Sequence, residues 1–264
     1  MKFNWKSIVI KKTNELPSNY WGLGYFQSER GGNWRRNFHE LRVRDLALFT
    51  LGEVSGKKVL EVGCGKGVYL DILARMGGVI SGQDISSDNV KQALTFFKNS
   101  GFEADIKVGD AVTLLFEDSC FDAVFSADFI EHISNEQKIK VFAEIFRVLK
   151  PGGLLVIKTP NLGYLRFVLI FKRICALLKF KSPFKLHIPH TRNNPDSQHH
   201  GLITFKELEK ILSDTMFHMS EIIYFPLERE FVPNFVQKIL YGNKYFTDHI
   251  LVKTRKPLFY GYLG

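Results

Sequence analysis

A glycine-rich turn preceded by an acidic residue is the part of this 264-residue sequence whose composition and spacing could bind a reactive ligand. Glu61 ends a short apolar run, Gly63, Gly65 and Gly67 follow at alternate positions, and a helical pattern begins at Val68. Glycine allows positive φ and close approach of a ligand to the backbone, and the amide groups at a helix start favour electron-rich atoms. The turn therefore predicts a small-molecule site.

Four acidic residues lie at or just past the ends of successive predicted strands and indicate the kind of ligand. They are Glu61, Asp84, Asp110 and Asp128. Because the carboxyl ends of parallel strands meet at one edge of a sheet, these side chains should face one crevice. A carboxylate after the second strand can accept both hydroxyls of a ribose, and one after the third can accept an adenine amino group. The set predicts a ligand that contains adenosine.

The spacing of the glycines argues against a dinucleotide. In the dinucleotide fingerprint Gly-x-Gly-x-x-Gly the third glycine comes one residue later than Gly67 does here, and the helix start faces a pyrophosphate. An acid beside the turn would repel a pyrophosphate. The same acid suits a ligand that carries an ammonium and a sulfonium group.

Apolar runs alternate with helical patterns along most of the chain. Strands are predicted at 58–62, 79–83, 104–108, 121–126, 154–159, 219–225 and 249–253, and helices at 37–51, 68–76, 87–99, 135–149 and 204–212. This alternation is typical of right-handed crossovers. It predicts an α/β, Rossmann-like, doubly wound fold with a seven-stranded, mostly parallel sheet and helices on both faces.

The motifs of residues 57–160 resemble those of the class I S-adenosylmethionine-dependent methyltransferases, near the ubiquinone-biosynthesis O-methyltransferases and the small-molecule and sugar methyltransferases. The resemblance rests on Leu-Glu-Val-Gly-Cys-Gly-Lys-Gly at 60–67, Gly-Gln-Asp-Ile-Ser at 82–86, Gly-Asp-Ala at 109–111, Phe-Asp-Ala-Val at 121–124, Glu-His at 131–132 and Leu-Lys-Pro-Gly-Gly at 149–153. It implies that the last strand is antiparallel and that S-adenosylmethionine is the cofactor.

The resemblance also implies a role for each matching residue. Glu61 and the backbone of Gly63 and Gly65 would hold the methionine part. The remaining cofactor contacts would be Asp84 at the ribose, Ile85 on an adenine face, Asp110 with Ala111 at the adenine edge, and Asp128 near the methionine group. The candidates for a general base are His132, His199 and His200.

Oxygen is the favoured methyl acceptor, on a small molecule, a sugar or a lipid-like substrate. Methyltransferases that act on the amino groups of bases often carry Asp/Asn-Pro-Pro-Tyr/Phe after the fourth strand, and Ser-Ala-Asp-Phe stands at 126–129 here. Two alternatives stay open. The basic composition admits an RNA methyltransferase, and the lack of a decisive base admits a non-catalytic adenosine-ligand-binding or membrane-associated protein.

The composition bounds the location and the partners. No run of about 18 apolar residues and no secretory leader occurs, so we expect a cytoplasmic protein. The three cysteines, Cys64, Cys120 and Cys175, are too widely spaced for a zinc cluster, and no metal is expected. The net charge of +9 is concentrated, since ten Lys and Arg residues and no acid lie between Glu144 and Asp196.

Two segments flank or interrupt the predicted methyltransferase domain, which spans 37–264. Residues 1–36 are rich in aromatic residues and glycine and are expected to pack on the domain or to cover a pocket. Residues 161–200 are expected to form a basic helical cap, in which an apolar stripe includes Phe167, Phe171 and Ile174. The stripe could pack on the domain as a substrate cap. Alternatively, this basic segment could make peripheral contact with an anionic membrane or bind an anionic substrate.

Overall fold

The computed structural model describes residues 47–186, 188, 201–224 and 247–258, and for 218–224 it describes the backbone alone. The strands are β1 Lys58–Val62, β2 Val79–Asp84, β3 Ala104–Val108, β4 Phe121–Ala127, β5 Leu149–Pro160, β6 His218–Tyr224 and β7 His249–Arg255. The α-helices are α1 Val68–Arg75, α2 Ser87–Ser100, α3 Asn135–Val148, α4 Leu162–Leu178 and α5 Phe205–Asp214. The predicted segment 1–36 lies outside the described residues.

The strands form one mixed sheet with the order β3-β2-β1-β4-β5-β7-β6. The pairs β1–β2, β1–β4, β2–β3 and β4–β5 are parallel, whereas β7 pairs antiparallel with both β5 and β6. The winding reverses between β1 and β4, so the crevice for a ligand lies at the carboxyl ends of these two strands. The Rossmann-like alternation and the antiparallel last strand are confirmed.

Helices cover both faces of the sheet because the central strands are apolar on both sides. Val59 belongs to a buried cluster that includes Leu73 of α1 and Phe97 of α2. The next residue, Leu60, belongs to a second cluster with Phe142 of α3 and residues of α5. A strand with two buried faces loses the alternation of an amphipathic strand, as β1 does.

The beginning of β5 differs from the prediction. A strand was expected from 154, after a turn at Pro-Gly-Gly, but β5 begins at Leu149. The pairing with β4 passes from Phe121–Leu149 directly to Ala123–Leu154, and Gly152 has φ 76°. The intervening residues therefore form a bulge within the strand, where the Pro-Gly-Gly sequence predicts a turn before the strand.

A buried lysine connects α3 to the chain that leads into α5. Lys138 is fully buried, and its Nζ donates to the carbonyl oxygens of Ile133 and Gly201 at 2.7 and 2.8 Å and to Oδ1 of Asn135 at 3.1 Å. Burial lowers the pKa of Lys138 to about 8. The ammonium therefore fixes Gly201 against the turn that follows β4.

We expect K138M to lower the free energy of unfolding by about 1–3 kcal/mol, because three oxygens, among them the buried carbonyl oxygen of Gly201, lose their donor. K140M on the same helix is the matched control, since Lys140 is exposed. Denaturant unfolding of both variants measures the difference. Equal stabilities for K138M and K140M would contradict the role assigned to Lys138.

Candidate functional site

The acidic and glycine residues singled out from the sequence lie together at the carboxyl edge of the sheet. Glu61 is the next-to-last residue of β1, Asp84 ends β2, and Asp128 follows β4 directly. Asp110 follows β3, which lies beside β2. The arrangement is the crevice that the topology predicts.

The glycine turn is held to β2 through its amide groups. The backbone nitrogens of Gly63 and Cys64 donate to the carbonyl oxygen of Gln83 at 2.9 and 3.2 Å. The nitrogen of Gly65 donates to Oδ2 of Asp84 at 2.8 Å. These amides therefore shape the turn and tie it to the carboxylate after β2.

The glycine at position 63 is required by a close neighbour. Gly63 has φ 74°, and a Cβ built there would lie 2.4–2.8 Å from the side chain of Phe129. No larger residue fits without displacing that ring. The Phe129 ring therefore lies directly against the turn and forms the wall of the crevice on the β4 side.

Glu61 is the buried charge of the site. Its side chain is only 2% exposed, and its Oε2 has no hydrogen-bond partner. Burial raises the pKa of Glu61 well above its usual value, and the carboxylates of Asp84 and Asp128 raise it further. An unpaired carboxyl oxygen in such a position is costly unless a ligand supplies a donor.

The residues after β2 present one polar and one apolar group. Oδ1 of Asp84 accepts from the backbone nitrogen of Ser86 at 2.9 Å, which fixes the carboxylate at the end of the strand. Ile85 is 72% exposed although it is a large aliphatic residue. An exposed isoleucine beside a fixed carboxylate is suited to cover the face of a flat ring whose sugar hydroxyls bind to that carboxylate.

The loop after β3 is organised by a residue that the sequence reasoning missed. Gln83 is 1% exposed, and its Nε2 donates to the carbonyl oxygens of Asp110 and Thr113, both at 3.0 Å. Its Oε1 accepts from the nitrogen of Leu115 at 2.9 Å. These bonds place exposed Asp110 and buried Ala111 beside β2. The available signal was an amide residue inside an otherwise apolar strand.

Asp128 is paired with a lysine that the sequence reasoning also left unassigned. Lys158 of β5 has a side chain that is 7% exposed, and its Nζ forms a salt bridge with Oδ2 of Asp128. Asp128 has φ 52°, which is uncommon for a residue other than glycine. The pair fixes this turn where β4 and β5 end. A lysine within an apolar parallel strand was the signal.

Glu131 is a second buried carboxyl that was not among the predicted site residues. It is 1% exposed, and its Oε2 accepts from Oγ1 of Thr159 at 3.0 Å. Burial raises its pKa to about 7, with a further contribution from the carboxylate of Asp128. A carboxyl with a pKa near neutrality at a crevice marks a candidate functional group.

The three predicted histidines have different outcomes. His132 ends the short 3-10 turn Ile130–His132 after β4 and is half-buried, at the same edge as the acids. His199 and His200 lie outside the described residues, and Gly201, the next residue, donates its backbone hydrogen to the carbonyl oxygen of Glu131 at 2.8 Å. The choice of a base among the three stays a prediction.

The described residues fit S-adenosylmethionine. The unpartnered oxygen of Glu61 is an acceptor for an ammonium group, and the fixed carboxylate of Asp84 is an acceptor for ribose hydroxyls. Glu61, Asp84 and Asp128 together favour a cationic ligand, because Lys158 compensates only one of them by a salt bridge. This donor and acceptor set does not suit a pyrophosphate.

The pKa of Glu131 predicts a pH dependence of stability. The pKa of Glu131 in the folded protein, about 7, lies above its usual value of 4.5. The neutral carboxyl therefore contributes its full stability below pH 4.5, and this contribution is lost as the pH rises through 7. Between pH 5 and pH 8, we expect the free energy of unfolding of the wild type to fall relative to E131Q by about 2–3 kcal/mol. Urea unfolding of both proteins at each pH measures this difference, and parallel pH profiles would contradict it.

The central part of the chain is similar to known methyltransferases. A family profile described as a methyltransferase domain matches residues 60–157. The ubiquinone biosynthesis O-methyltransferase of Maricaulis maris is 34% identical over 107 residues, which are 40% of this chain and 41% of that protein. The mitochondrial ubiquinone biosynthesis O-methyltransferase of Rattus norvegicus is 33% identical over 150 residues, 50% of this chain and 42% of that protein. The chain thus spans about two-fifths of the length of these relatives.

A solved structure agrees in fold. A SAM-dependent methyltransferase from Methanosarcina mazei superposes with a TM-score of 0.59 at 24% identity, and the match covers 80% of this chain and 97% of that one. At this identity the likeness shows the fold alone. The matching profile, by contrast, covers β1 to β5 and includes the glycine turn, Asp84, Asp110 and Asp128. Residues 60–157 of this chain are therefore similar to the methyltransferase domain family.

Proposed function

We propose that this protein is an enzyme that transfers a methyl group from S-adenosylmethionine. The observation that carries the proposal is the buried Glu61 carboxyl, whose Oε2 lacks a partner at the end of the central strand. It lies beside a glycine turn that is tied to Asp84. The match of residues 60–157 to the methyltransferase domain family supports the same conclusion.

Each part of the cofactor has a candidate partner in the chain. Glu61 accepts hydrogen bonds from the ammonium group, and the turn at Gly63 and Gly65 gives the methionine part close access to the backbone. Asp84 accepts hydrogen bonds from the ribose hydroxyls. Exposed Ile85 covers an adenine face, and Asp110 with Ala111 borders its edge. These assignments follow the positions of the residues along the carboxyl edge.

The bound cofactor supplies an electrophilic methyl group on a sulfonium, and the chain supplies orientation and electrostatics. Fixing the acceptor and the cofactor in line can contribute up to roughly 7–11 kcal/mol to the lowering of the barrier. Asp128, held by Lys158, lies on the side of the crevice where β4 and β5 end. A positioned base would add about 10²- to 10⁴-fold when the acceptor is a hydroxyl.

We further propose that the acceptor atom is oxygen, on a small-molecule, sugar or lipid-like substrate. The curated relatives named above are O-methyltransferases of ubiquinone biosynthesis, about one-third identical to this chain over 107 and 150 residues. The turn after β4 carries Asp128 and Phe129, and the amino-base pattern Asp/Asn-Pro-Pro-Tyr/Phe is absent from the sequence there. An RNA methyltransferase would instead bind RNA with an affinity that falls steeply as the salt concentration rises.

The cofactor assignment is tested by E61Q. Loss of the charge should weaken S-adenosylhomocysteine binding by roughly 10- to 100-fold, the range of a hydrogen bond to a charged group. The same substitution removes a buried carboxyl with a raised pKa, so E61Q should be as stable as the wild type or more stable. Titration calorimetry measures the affinity, and E53Q at an exposed position is the matched control. Absence of binding by the wild type would overturn the proposed function.

The acceptor is tested with a labelled methyl donor offered to quinol, sugar-nucleotide and lipid pools and to RNA. We expect the label to appear in a methyl ether or a methyl ester. If His132 is the base, H132Q should lower turnover by about 10²-fold or more and leave the affinity for S-adenosylhomocysteine unchanged. The variants H199Q and H200Q test the other two candidates in the same way. Label recovered only in methylated RNA, or on nitrogen, would contradict the oxygen assignment.

A further inference from the structure

The helix after β5 carries a row of large apolar side chains in solvent. The exposed members in α4 are Phe167 at 43%, Ile170 at 59%, Phe171 at 60%, Ile174 at 50%, Leu177 at 59% and Leu178 at 76%. Just beyond the helix, Phe180 is fully exposed and Phe184 is 83% exposed. Soluble proteins seldom expose so many large apolar residues at one place unless they form an interaction site.

These side chains share one side of α4. At about 100° per residue, the six exposed residues of the helix fall within an arc of about 120°. The side chains of Leu162 and Tyr164, which are buried against the domain, lie outside that arc. The helix therefore has one face that packs in part on the domain and another that is apolar and largely exposed, which we call the α4 face.

The charge around the α4 face has one sign. Arg166, Lys172 and Lys179 are exposed on α4 or at its C-cap, and Lys181 and Lys185 are exposed just after it. The sequence has no acidic residue between Glu144 and Asp196. A helix with an apolar face and with Lys and Arg on its other sides is suited to lie in the plane of an anionic membrane surface, with its apolar face among the acyl chains.

We propose that the α4 face docks the protein on an anionic lipid surface. Among the described residues no helix is long and apolar enough to cross a membrane, so the contact is a peripheral one. An RNA partner would use the positive charge but would gain little from six exposed aliphatic and phenyl groups. A second copy of the chain would bring a surface of the same positive sign, which opposes association.

The position of α4 links this surface to the crevice. Asn161 caps the helix, with its Oδ1 accepting from the nitrogen of Gly163 at 2.9 Å. Lys158 and Thr159 lie in β5, just before Asn161. They pair with Asp128 and Glu131 at the crevice. The docking contact goes beyond methyl transfer and does not require it, although docking would bring the crevice close to an acceptor held in the membrane.

The test is flotation of the full chain with vesicles of phosphatidylcholine alone or with one-third phosphatidylglycerol. The wild type should float with the anionic vesicles and stay at the bottom with the neutral ones. F171E/I174E should lose flotation, and K172Q/K179Q should bind roughly 25-fold more weakly, about fivefold for each lysine removed. L94E/I139E is the matched control, since Leu94 and Ile139 are exposed apolar residues of α2 and α3.

Thermal unfolding and S-adenosylhomocysteine binding are measured for the same variants, and neither should change, because substitutions on an exposed face have small effects on stability. Binding to vesicles therefore succeeds or fails independently of the proposed function. A wild type that stays at the bottom with both vesicles, or an F171E/I174E variant that floats like L94E/I139E, would overturn the proposal. A wild type that sediments as a dimer, dissociated by F171E/I174E, would assign the α4 face to a second copy instead.

Discussion

The burial of the Glu61 carboxyl at the end of the central strand is the constraint on which the rest of the site depends. The side chain is 2% exposed, one oxygen has no partner, and the carboxylates of Asp84 and Asp128 lie close enough to raise its pKa. A folded chain tolerates such a group when something outside the fold completes it. A cationic ligand does so, because its ammonium group supplies the missing donor and its charge offsets the neighbouring carboxylates.

The neighbouring features can be understood as ways of holding that ligand in place. Because Gly63 has no Cβ, the Phe129 ring can lie against its backbone, and the turn packs against the segment after β4. Asp84 is held by two backbone donors, from Gly65 and Ser86, and does not move freely. Preorganised groups of this kind bind a ligand with little loss of conformational entropy.

The strand β5 leads from the crevice to the proposed docking surface on α4. Its carboxyl end contributes Lys158 and Thr159, which pair with Asp128 and Glu131 beside the crevice. Asn161 follows immediately and begins α4, whose outer face is apolar. The distance between crevice and outer surface along the chain is therefore only a few residues. The crevice and the proposed docking surface are therefore adjacent along the chain.

The sequence by itself determined the order of the elements and the acids of the crevice. Apolar runs and helical spacing predict strands and helices close to where they lie, because local periodicity depends on burial, and the antiparallel partner strand follows from the resemblance. Thr204 and Glu207 form a capping box at the start of α5, and its hydrogen bonds are local, so the start of this helix is readable from the sequence. Glu61, Asp84 and Asp128 were identifiable because each lies at or just past the end of a strand, and the carboxyl ends of parallel strands share an edge.

Only the tertiary structure decided which polar residues are buried and what they contact. Gln83, Glu131, Lys138 and Lys158 are distant in sequence from some of their partners, and a single sequence carries no signal for such pairs. The outer face of α4 was likewise undecided. An apolar stripe packs on a domain or faces outward according to the neighbours it meets, and the structure leaves Phe171 and Leu178 exposed while Cys175 turns partly inward. Periodicity defines a stripe, whereas tertiary packing determines whether anything covers it.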